Sequence, residues 1–77
     1  IEVTMVNSVG VLGRICTLIG EQGANISDLK FVARKPDFYK TVFELTVRDL
    51  KHLHNIITSI QVDMDVSEAI RHRKNDI

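Results

Sequence analysis

Few side chains in this sequence can do chemistry. Cys16 is its single cysteine and cannot close an internal disulfide, and the paired thiolates that a heavy-metal carrier needs are missing. His52 and His54 stand two apart in a stretch of helical period, so their rings point in different directions instead of converging as an i, i+4 pair would; both read as solvent-facing. His72 falls near the end of the chain. The stretch Asn7, Ser8, Val9, Gly10, Val11, Leu12 contains nothing that attacks, transfers a proton or holds a metal. Its interest is its position, because it joins an alternating segment to a helical one. The first amides of a helix have no carbonyl ahead of them and lie at the positive end of the helix dipole. Such a corner binds an anion without a charged side chain, and Gly10 allows a close approach to the backbone. The chemistry to expect is recognition, not catalysis.

The elements that must position this corner follow from periodicity. Residues 1–6 set Ile1, Val3 and Met5 against Glu2, Thr4 and Val6, the alternation of a half-buried strand. Asn7 or Ser8 is then expected to cap a helix from Gly10 to Gln22. Its apolar stripe is Val11, Leu12, Ile15, Cys16, Leu18 and Ile19, with Arg14, Thr17 and Glu21 left for solvent. Gly23 stands where a left-handed residue closes a helix. From Ala24 to Arg34 the pattern is extended, but its parity changes, since Ile26 falls on one face and Leu29, Phe31 and Ala33 on the other. Either a bulge shifts the register or both faces are covered. A turn at Lys35, Pro36, Asp37 and Phe38 leads to a third strand with Tyr39, Thr41, Phe43, Leu45 and Val47 on one face. Asp49 caps a second helix whose apolar stripe is Leu50, Leu53, Ile56, Ile57 and Ile60, and a short strand runs from Val66 to Arg71. The order βαββαβ predicts an α+β, ferredoxin-like fold: a four-stranded antiparallel sheet, two helices on one face, the second and fourth strands at the edges. Residues 1–71 form the domain and residues 72–77 a flexible tail.

At 77 residues the chain is one domain, and a domain this small buries only about 60% of its unfolded surface, so burial against a second copy is favoured. Ten basic and ten acidic residues cancel, which removes the overall attraction a nucleic-acid binder usually shows. No apolar run is of membrane-spanning length. Cys16 in a helical apolar stripe reads as a buried thiol in a reducing compartment, hence the cytoplasm. A chain that opens on Ile1 reads as a module excised from a longer protein.

The fold hosts enzymes, metal carriers, RNA readers and regulators, so the site must choose among them. Here "MVNSVGVLGRICTLIGEQGANISDL" resembles the opening of an ACT domain: a strand, a polar residue, a turn with Gly, an amphipathic helix, then Gly-x-Asn-Ile entering the second strand. Asn7, Gly10, Leu12, Ile15, Ile19, Gly23, Asn25 and Ile26 fall on that pattern. Val9 stands where the family often has Pro. "RKPDFYKTVFELTVRDLKHLHNII" further resembles the C-terminal ACT domain of bifunctional (p)ppGpp synthetase/hydrolases, the Rel/Spo family. The resemblance implies a regulatory module without cofactor or catalytic residues of its own. It implies a homodimer through the second strand and first helix, and a small amino acid at the seam. Asn7 and the amides near Gly10 to Leu12 would hold the carboxylate, and Asn25 of the facing copy would receive the ammonium. Because Val9, Val11, Leu12 and Ile26 are aliphatic and nothing around the seam reads as strongly charged, valine or isoleucine is the ligand to expect.

Three rivals draw on other residues. "VGVLGR" echoes the phosphate loop of acylphosphatase, with Arg14 behind it, but lacks that family's Gln before the Gly and its Asn in the second strand. RNA, as ribosome or tRNA, is the main alternative partner. Phe31, Tyr39 and Phe43 on adjacent strands could stack bases, and Arg71, Arg73 and Lys74 form a basic end. Against it, the aromatic-glycine signature of an RNA recognition module is absent from the third strand, and "GVLG" has apolar residues where a KH-type loop clamps phosphate. The third rival is dimerisation without a ligand.

Overall fold

The computed structural model describes residues 1–71; the tail expected at 72–77, with His72, Arg73 and Lys74, lies outside the described residues. Strand β1 (Glu2–Val6) is followed by helix α1 (Val11–Glu21), strands β2 (Asn25–Arg34) and β3 (Phe38–Thr46), helix α2 (Leu50–Gln61) and strand β4 (Val66–Ile70). All strand pairs are antiparallel and the sheet order is β2-β3-β1-β4, the ferredoxin-like arrangement with β2 and β4 at the edges. No helix among the described residues is long and apolar enough to cross a membrane.

The alternation of β1 buries Ile1, Val3 and Met5, with Val3 opposite Thr41 on one side and Ala69 on the other. Helix α1 contributes Val11, Ile15 and Ile19, and α2 contributes Ile56, Ile57 and Ile60. Full burial of an aliphatic side chain of this size contributes about 2 kcal/mol, so the isoleucines of the two helices carry much of the fold. The parity change in β2 resolves into two bulges. Ile26 pairs with Leu45 while Asp28 pairs with Glu44, and Phe31 pairs with Thr41 while Ala33 pairs with Lys40. Ser27 and Val32 are therefore supernumerary. Each extra residue flips those that follow it, so Ile26, Leu29 and Phe31 all share the helix-covered face of Leu45, Phe43 and Thr41.

The helix ends correct one expectation and support two. Neither Asn7 nor Ser8 caps α1. The chain makes an additional turn at Val9 and Gly10 that carries both side chains away from the first-turn amides, and the N-cap is Gly10 itself, at φ 84° with no side-chain bond. That left-handed backbone is the reason for a glycine there. At the other end Gly23 has φ 84°, Gly23 N–H bonds Gly20 O at 3.0 Å and Ala24 N–H bonds Ile19 O at 3.3 Å, the paired closure expected of a helix-ending glycine. Asp49 caps α2, its Oδ1 accepting the His52 N–H at 2.8 Å. His52, expected in solvent, is buried, while Leu50, expected in the stripe, is half exposed. The stripe of α2 starts at His52, one turn before Ile56 and two before Ile60. His54 is exposed as expected.

Candidate functional site

The corner where β1 passes into α1 is open. Val9 is fully exposed, and a Cβ placed on Gly10 would meet no heavy atom within 4 Å. The backbone bonds here are Ser8 N–H to Val6 O at 3.0 Å, Val11 N–H to Ser8 O at 3.3 Å and Arg14 N–H to Gly10 O at 2.9 Å. The amides of Leu12 and Gly13 lie in the first turn of α1, where a helix has no carbonyl of its own to offer them. Asn7 is half-buried and orients the corner. Its backbone N–H bonds Asp37 O at 3.0 Å and its Nδ2 donates to Lys35 O at 3.1 Å, tying the β1–α1 loop to the β2–β3 turn.

The candidate residues divide by burial. Val11 is 2% exposed, its side chain in the core; Leu12 and Ile26 are half-buried and pack against the core. Ser8, Val9, Gly10 and Asn25 are exposed. Asn25 and Asn7 lie at opposite ends of the sheet within one chain. Asn25 opens β2 opposite Thr46, whereas the far end of β2 pairs Arg34 with Tyr39, beside the corner. A strand of ten residues spans about 30 Å, so one chain does not bring the two asparagines together.

Charge and aromatic surface are closer to the corner than the sequence suggested. Arg34 stands with its guanidinium 4.2 Å from the centroid of Phe31, and Phe31 meets Tyr39 edge to face at 5.3 Å. Residues 31 and 34 of a regular strand face opposite ways. The bulge at Val32 puts them on one side, which is why simple alternation missed the cluster. Phe43, by contrast, is 1% exposed and is core. The aromatics therefore sit on the helix-covered side of the sheet, not on the open side from which an RNA recognition module stacks bases.

Arg14 is also committed. Its Nε and Nη2 donate to Asp63 Oδ2 and Oδ1, both at 2.8 Å, and Nη2 donates to Asp65 Oδ2 at 2.7 Å. These bonds raise the guanidinium pKa above its ordinary value and hold the Asp63 carboxyl below its own. An arginine engaged by two carboxylates is not free to cradle a phosphate, and the clamp fixes the start of α1 to the α2–β4 turn. Cys16 is half-buried, and burial pushes its thiol pKa up, away from nucleophilic duty. A cleft of ≈ 230 Å³ at the other end of the sheet, lined by Ile1, Phe43, Leu45, Val47, Leu53 and Arg71 among others, is remote from the corner.

Comparison with known proteins agrees with this layout. The profile of the ACT domain matches residues 1–71. The GTP pyrophosphokinase rsh of Brucella suis biovar 1 is 38% identical over 71 residues, covering 92% of this chain and 10% of that protein. The bifunctional (p)ppGpp synthase/hydrolase SpoT of Escherichia coli K12 is 34% identical over 73 residues, covering 95% of this chain and 10% of that protein. The chain thus spans about a tenth of the length of the curated relatives it matches, and the likeness concerns their ACT region alone. With a βαββαβ sheet and a profile match from residue 1 to 71, this chain belongs to the ACT-domain family, and its role is that of a regulatory domain.

Proposed function

We propose that this domain pairs with a second copy of itself along β2 and α1 and binds a small apolar amino acid, valine or isoleucine, at the seam. In that reading it regulates a cytoplasmic (p)ppGpp synthetase/hydrolase. The observation that carries the reading is the contrast between the two sheet edges. β2 is ten residues long and carries half-buried Ile26, Leu29 and Phe31, and α1 carries half-buried Leu12 and Cys16. An edge of that length with an apolar margin invites another strand. β4 has five residues, and the Gln61 amide occupies its Ala69 carbonyl at 2.9 Å. Antiparallel pairing of two β2 strands would set Asn25 of one copy beside Arg34 of the other, next to the corner that Asn7 ties to Lys35. The ammonium would then go to the Asn25 side-chain oxygen and the carboxylate to the amides at the start of α1, with Arg34 and Lys35 adding attraction for the anion.

An amino acid that binds one arrangement of the paired domains more tightly than another shifts the parent's equilibrium by that difference in affinity. The test is a titration of the chain with each of the twenty amino acids, followed by calorimetry and amide resonances, alongside its molar mass in solution. The expected result is a dimer in which valine or isoleucine shifts Ser8, Gly10 and Asn25. A chain that remains monomeric, or shows neither heat nor shifts, rejects the proposal. A dimer indifferent to all twenty, unaffected in mass by Asn25→Ala, is an assembly module instead.

A further inference from the structure

His52 is a buried titratable group that the proposed site does not use. The ring is held from two sides. Arg48 N–H lies 3.1 Å from Nδ1, and Gln22 O lies 2.6 Å from Nε2. An N–H can only donate and a carbonyl can only accept, so Nδ1 must be the acceptor and Nε2 must carry the proton: the ring is neutral and in a single tautomer. Gln22 is the C-cap of α1 and is gripped a second time by α2, through its Nε2 and Ser59 Oγ at 2.9 Å. Gly23, Ala24 and Asn25 follow it directly. His52 thus joins the turn that delivers Asn25 to the residues that start α2.

We propose that His52 is a positioning residue and a proton-sensitive latch, which when neutral ties the α1–β2 turn to the start of α2 and when protonated loosens that tie. Protonation adds a second N–H, at Nδ1, pointing at the Arg48 N–H. Two donors cannot share that contact, so the ring turns or Arg48 withdraws. Around the ring, α1 and the turn offer the Gln22 carbonyl and Gly23, neither of which titrates. The start of α2 offers Asp49, whose carboxylate accepts the backbone N–H of His52, and the adjoining Arg48. The proton that changes the Arg48 and Gln22 contacts is the one on the ring itself. The effect on Asn25 rests on the proposed seam; the latch does not.

The experiment is an NMR pH titration of the 77-residue chain with nitrogen-15 detection of the histidine rings. Expected before acidification is the signature of the Nε2–H tautomer. On acidification the amides of Arg48, Gly23 and Ala24 should follow the midpoint of the His52 ring, with the protection factor at Arg48, corrected for the intrinsic pH dependence of exchange, falling roughly five-fold as one hydrogen bond is lost. His54→Gln should leave these shifts intact, and His52→Gln should abolish them. An Nδ1–H tautomer, amides that ignore the ring, or shifts that persist in His52→Gln overturn the latch. These readouts need neither a second copy nor an amino acid, so their failure leaves the seam standing, and a monomer that binds no amino acid leaves the latch standing.

Discussion

Thr41 offers a direct check on the core. Its side chain is fully buried on β3, opposite Val3 and Phe31, and its Oγ1 has no hydrogen-bond partner among the described residues. A hydroxyl withdrawn from water without compensation costs about 1–3 kcal/mol. Thr41→Val keeps the β-branched shape that suits a strand and replaces that hydroxyl by a methyl among aliphatic neighbours. The expected gain is about 1–2 kcal/mol, which in a domain of this size raises Tm by about 5–10 °C. Urea denaturation should show a higher midpoint with an unchanged slope, since the surface exposed on unfolding is the same. Thr41→Ser is the control: it keeps the hydroxyl, loses a methyl and should destabilise by about 1 kcal/mol. A Thr41→Val midpoint at or below that of the native chain would refute the reasoning, because it would mean that the hydroxyl finds a partner in solution.

Further predictions concern the helix ends and the thiol. Gly23→Ala should cost about 1–2 kcal/mol in the same assay; the loss is left-handed strain, since the new Cβ would lie 3.9 Å from His52 Nε2 without a clash, and a neutral effect would deny the left-handed turn. Asp63 is held below its ordinary 3.8 by the Arg14 hydrogen bond, so the clamp contributes its full stability above pH 3.8 and loses it as pH falls from there through the lower folded value. Asp63→Asn should therefore lower stability at neutral pH and flatten the acid limb of a stability–pH curve, and an unchanged acid limb would deny the pairing. Cys16 should react with iodoacetamide at neutral pH much more slowly than in the urea-unfolded chain, and equal rates would deny its burial.

Much of this architecture is legible in the residues because the apolar periods are clean. β1 alternates without exception through Met5, and α1 repeats Val11, Ile15, Ile19 every four residues, so element order and core faces follow from spacing alone. The misreadings have physical causes. Asn7 has the side chain of a helix cap but stands too early in the chain to serve as one, and nothing local marks the extra turn at Val9 and Gly10. His52 stands two residues from His54, which hides the four-residue spacing from Ile56 that turns it inward. The parity break in β2 fits either a bulge or two covered faces, and the register shift between Ile26 and Asp28 decides for the bulge; the second bulge, at Val32, breaks no apolar pattern and so conceals the cluster of Phe31, Tyr39 and Arg34. The Arg14 clamp on Asp63 and Asp65 spans about fifty positions and leaves no trace in local periodicity. For the same reason, a site completed by a second copy cannot be read from the spacing within one chain.

Whether β2 of one copy lies antiparallel against β2 of another is addressed directly by a mixed-label relaxation experiment. A nitroxide is attached at Ser27→Cys in a Cys16→Ala chain without isotope label, and this chain is mixed with nitrogen-15-labelled native chain, so that any broadening is intermolecular. The pairing predicts broadening at Ser8, Gly10 and Lys35 of the labelled copy, the residues that adjoin the far end of its β2. Absence of broadening there, or broadening confined to residues that border β4, would contradict it.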